Sequence, residues 1–136
     1  MTASLLMLAG ALIIGGLGTA HLVVTFYGPK LLPRDETLRP HMEQTLLVLT
    51  RETTVWKAWI GFNASHSLGA MLFALVYGYL ALMQPALLFG SNYLLGLGLA
   101  FLGAFWVLGK RYWFSVPYTG IRIATLCYTA SVFLSR

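Results

Sequence analysis

The chain has 136 residues, 58% of them hydrophobic and only 10% charged, with a net charge of +5 and a mean hydropathy of +0.75. A soluble domain carries roughly a quarter charged residues, so this composition excludes a water-soluble globule and makes the bilayer the solvent for most side chains. The basic balance does not indicate nucleic acid, because the charges fall in short loops between apolar runs and form no basic face. The single cysteine, Cys127, excludes an intramolecular disulfide and a cysteine-based metal cluster.

Four apolar runs, at about 4–27, 57–83, 86–109 and 116–134, each approach the ~20 residues that cross a ~30 Å hydrocarbon core. They are rich in glycine and lack period-two alternation, so helices are expected and barrel strands are not. The predicted fold is an all-α transmembrane four-helix bundle, one domain spanning residues 1–136. No Lys or Arg precedes the first run, so it is read as a retained helix and not as a cleaved signal peptide.

The stretch between the first two runs, 28–56, is the one sizeable extramembrane element. Met42, Leu46, Leu49, Thr53 and Trp56 recur at helical spacing, which predicts an amphipathic helix over about 40–56 lying on the interface. All four acidic residues, Asp35, Glu36, Glu43 and Glu52, lie here. So do Lys30, Arg34, Arg39 and Arg51, with Lys57 at the edge; Lys110 and Arg111 occupy the loop after the third run. By the positive-inside rule both basic loops are cytoplasmic and both termini lie outside the cytoplasm.

Small residues recur every fourth position: Ala11, Gly15 and Thr19; Gly61, Ser65 and Gly69; Gly96, Ala100 and Ala104. Such stripes let membrane helices approach closely. Packing within the chain is the expected use, and a homo-oligomer interface the alternative.

Three ionisable groups fall inside apolar runs: His21, His66 and Arg122. Such groups are costly in hydrocarbon and normally face a bundle interior or a wet cavity. At 1.5 Å per residue His21, Arg122 and Asn63 lie ~9 Å from the cytoplasmic end of their helices and His66 ~13 Å. Three helices thus put polar groups in one layer, and the expected site is a polar pocket formed by His21, Asn63, His66, Ser67 and Arg122, with Trp59 and Tyr118 at its mouth. No Asp or Glu lies in a span, which argues against a carboxylate proton relay. One guanidinium and two imidazoles suit a phosphate, a carboxylate or a quinone carbonyl. His66 and His21 are the candidate acid–base groups. The competing readings are Arg122 snorkelling to the interface and histidines that are neutral, satisfied core residues. No metal and no cofactor is expected; haem b held by His21 and His66 is the alternative.

The run Gly61-Phe62-Asn63-Ala64-Ser65-His66-Ser67, preceded by Pro33-Arg34-Asp35, resembles a family of small, uncharacterised bacterial four-helix integral membrane proteins. The resemblance covers most of the chain in layout. It implies the bacterial inner membrane and carries no activity. Glutathione and eicosanoid membrane transferases are similar in architecture, but their glutathione-binding motif is absent. Sterol-isomerase-like four-helix proteins are similar too, but place acidic residues in the membrane. The expected function is binding or processing of a lipid-like or quinone-like amphipathic ligand among membrane lipids, in a chain expected to form a homo-oligomer. A channel or transporter, or an accessory subunit of a membrane complex, is the alternative.

Overall fold

The computed structural model describes residues 1–136 and is all-helical in class, with no strand: α1 (Thr2–Phe26), α2 (Leu38–Gln44), α3 (Val55–Met83), α4 (Pro85–Gly90), α5 (Asn92–Tyr112) and α6 (Ser115–Leu134). Helices α1, α3 and α5 are long and apolar enough to cross a membrane. Helix α6 is not among them, because its 20 residues include Arg122 and several Thr, Ser and Tyr. Four transmembrane helices are expected from the sequence; of the six helices, three are long and apolar enough to span. At most 39% of the apolar window of any of the three is buried inside the protein. Leu12, Leu68, Leu72, Leu75, Val107 and others point outward, an apolar surface that water would not tolerate.

Local chemistry sets the breaks. Helix α1 stops before Gly28, whose φ of 88° is the left-handed conformation that glycine adopts without strain. Thr54 caps α3, its Oγ1 accepting the Lys57 amide at 3.3 Å. Pro85 cannot continue α3 and instead starts α4. The third apolar run, expected as one helix over 86–109, is divided: α4 ends at Gly90, and Ser91 is extended and caps α5 by accepting the Leu94 amide at 3.2 Å. Helix α5 then runs on through Lys110 and Arg111, which complement the negative end of its dipole.

The expected amphipathic helix over 40–56 is corrected more heavily. Helix α2 covers only Leu38–Gln44, and the chain is not helical again until α3 begins at Val55. Thr45 is extended, Leu46 pairs with Thr54 in an isolated antiparallel bridge, and the Val55 amide donates to Thr45 O at 2.9 Å. Periodicity failed here because Thr45, Thr50, Thr53 and Thr54 are β-branched and offer the backbone local partners; Thr50 Oγ1 accepts the Glu52 amide at 3.1 Å.

The chain divides into two compact units, Met1–Leu17 with Ala70–Arg136, and Gly18–Gly69. The first holds the apolar core, with Met7, Ile14, Phe73, Tyr77, Leu88, Leu102, Ile121 and Tyr128 buried. Phe73 stacks on Tyr77 and Phe101 with ring centroids 4.5 and 4.6 Å apart. The phenols are not orphaned: Tyr77 donates to Leu94 O at 2.6 Å and Tyr128 to Leu95 O at 2.9 Å. Ser131 likewise donates to Ala3 O at 2.6 Å, tying α6 to the start of α1. No buried side-chain polar atom lacks a partner, as burial in an apolar interior requires.

The small-residue stripes do not all serve this packing. Ala11 is buried, and a Cβ at Gly15 would lie 2.8 Å from that of Ala74, so α1 and α3 meet there. Gly61, Gly69 and Gly96 have no atom within 4 Å of an added Cβ, and Ser65, Ala100 and Ala104 are exposed. For α3 and α5 the expected packing within the chain is therefore corrected: those stripes face outward.

Candidate functional site

The second unit brings three of the expected site residues together. On α1, His21 Nε2 lies 2.9 Å from Oδ1 of Asn63 on α3. The Asn63 amide nitrogen donates to Trp59 O at 2.8 Å, which fixes the amide's orientation and makes Oδ1 the acceptor. His21 therefore carries its proton on Nε2, and in the neutral ring Nδ1 is left as an acceptor. His66, one turn beyond Asn63, sets its ring edge-on to His21, centroids 5.5 Å apart and planes at 83°.

The backbone around the cluster is braced. Thr25 Oγ1 donates to His21 O at 2.7 Å, and Ser67 Oγ donates to Asn63 O at 2.9 Å. Ser67 is fully buried and its hydroxyl is spent on that carbonyl, so it positions Asn63 and does not present itself to a ligand. Trp59 is exposed beside the cluster and takes part through its carbonyl.

The other two expected residues belong to the first unit. Arg122 is exposed, with its guanidinium carbon 5.6 Å from the Tyr118 ring centroid and 5.9 Å from that of Trp106. Tyr118 and Trp106 meet edge to face at 6.2 Å. This is a cation held over two aromatic faces. Trp106 had no place in the sequence-derived site, since it is 16 positions from Arg122 and on another helix.

The donor set limits what the cluster can hold. No group of three or more His, Cys, Asp or Glu side chains could bind a metal ion. The two imidazoles meet directly, edge to face, and His21 Nε2 is already engaged by Asn63 Oδ1. The cluster brings two imidazoles and an amide together between two long apolar helices. No family model, curated protein or solved structure matches the chain.

Proposed function

We propose that the chain is a multi-pass protein of the bacterial inner membrane, with α6 as a fourth span and both termini outside the cytoplasm, that binds a lipid-like or quinone-like amphipathic ligand at His21, Asn63 and His66. The observation that carries the proposal is the His21–Asn63 bond with His66 packed against it. Polar groups meeting in segments this apolar are costly, and in membrane helices they mark sites of function. His21 and His66 supply the hydrogen bonds to the ligand's polar end, and they are the candidate acid–base groups of the site. Arg122 and Tyr118 serve the interface, the guanidinium snorkelling past the rings of Trp106 and Tyr118.

The test is native mass spectrometry of protein released gently from detergent. Wild type is expected to keep a lipid or quinone mass that His66→Ala and Asn63→Leu lose while remaining folded. Equal retention in all three proteins would end the proposal.

A second reading, a homo-oligomeric channel or transporter, is favoured by the outward-facing stripes Gly61, Ser65, Gly69 and Gly96, Ala100, Ala104. Oligomers lost on Gly61→Leu or Gly69→Leu, together with ion or solute flux in liposomes, would support it. A monomer in native mass spectrometry removes it.

A further inference from the structure

The second unit also contains a cavity of about 390 Å³ that none of the three cluster residues lines. It is lined by Val24, Thr25 and Phe26 from the last turns of α1, Gly28, Leu31 and Leu32 from the following loop, and Trp56 and Ile60 from the start of α3, so apolar side chains share the wall with polar surface. One charged side chain, Arg39 of α2, lines it.

Arg39 is held in a defined attitude. Its Nε donates to Glu43 at 2.8 Å, and its guanidinium lies 4.9 Å from the Trp56 ring centroid. An ion pair on one edge and an aromatic face beneath orient the guanidinium, which stays about half exposed. Both terminal nitrogens remain for an acceptor, and paired N–H groups in one plane match the oxygens of a phosphate or carboxylate. Glu43 shares this guanidinium and competes with any such anion.

The location fits the same chemistry. The cavity is bounded by the end of one apolar helix and the beginning of another, with a tryptophan at the junction, which is where head groups sit. Its volume falls within the range of small-molecule sites, roughly 300–1,000 Å³. We infer that Arg39, on its Trp56 platform, is the head-group site for an amphiphile with a phosphate or carboxylate end, whose apolar chain lies against Val24, Leu31 and Ile60. The inference rests on the chain being a membrane protein and on this cavity, and not on the histidine cluster.

The test uses the full chain in a neutral maltoside detergent and follows tryptophan fluorescence. The probes are dodecyl phosphate, dodecanol and inorganic phosphate. Saturable binding is expected for dodecyl phosphate, with dodecanol and inorganic phosphate each weaker by roughly tenfold or more. Arg39→Gln is expected to weaken dodecyl phosphate by a similar factor, and Glu43→Gln to strengthen it. Inorganic phosphate binding as well as dodecyl phosphate would mean a free-anion site and overturn the amphiphile. Dodecanol binding as well as the phosphate, or an Arg39→Gln variant that binds normally, would overturn the head-group role. Arg39→Gln and Glu43→Gln read this cavity through dodecyl phosphate, whereas the histidine cluster is read by the mass retained in native mass spectrometry, so a failure of one is distinct from a failure of the other.

Discussion

His21 Nε2 and Asn63 Oδ1, separated by 42 positions in sequence, lie 2.9 Å apart and hydrogen-bond α1 to α3. Hydrogen bonds between membrane helices contribute about 0.6 kcal/mol on average and up to about 1.7. A double-mutant cycle with His21→Leu and Asn63→Leu is expected to return a coupling in that range. Reversible unfolding in mixed micelles measures it, and strict additivity would show that the bond contributes nothing.

Gly98 and Tyr128 predict a steric limit. A Cβ at Gly98 would collide with the Tyr128 phenol, whose hydroxyl is committed to Leu95 O. Gly98→Ala is therefore expected to destabilise by about 1–3 kcal/mol, the usual cost of overpacking. A lowered thermal midpoint in detergent checks it, and Gly98→Ala with Tyr128→Phe should recover little, because the ring itself is in the way.

Two glycines of adjacent helices should behave oppositely. Gly15 faces Ala74, 2.8 Å from an added Cβ, whereas Gly69 faces nothing within 4 Å. Gly15→Ala is expected to lower the thermal midpoint by an amount that reflects about 1–3 kcal/mol of strain. Gly69→Ala is expected to leave it unchanged or raise it, since glycine is a poor helix former. Destabilisation by Gly69→Ala in an oligomer alone would locate the subunit contact on that stripe.

Topology is open to direct labelling. In a Cys127→Ser background, Thr50→Cys is expected to react with a membrane-impermeant maleimide in inverted vesicles and not in intact spheroplasts, as the basic loop requires. The opposite pattern would reverse the orientation of the chain.

The helical class and the apolar runs were legible in the sequence because both follow from composition and local order. So few charges cannot clothe a soluble surface, and apolar runs of ~20 residues have no other stable state in a bilayer. Local stops were legible in part. Pro85 announces itself, whereas Ser91 acts as a cap only because the chain turns there. The loop over 45–54 misled for a related reason: helical spacing survives in a segment of threonines whose hydroxyls bond the backbone instead.

Of the site, depth counting named His21, Asn63 and His66, since a polar residue in an apolar helix stands out whatever the fold. Which of them meet was a matter of helix rotation, which one sequence does not encode locally. Asn63 and His66 come to His21 because α3 turns that face toward α1, leaving Gly61, Ser65 and Gly69 on its outside. The same holds for Arg122 and Trp106, whose contact is decided by how α5 meets α6, whereas Tyr118 lies four positions before Arg122 on α6 and is brought to it by helical spacing alone; it holds too for Arg39 and Trp56, 17 positions apart and joined only when the loop folds back. Composition and periodicity determined that this chain lives in a membrane as helices. Tertiary packing alone decided which polar groups share a space, because each pairing depends on the relative rotation of helices distant in sequence.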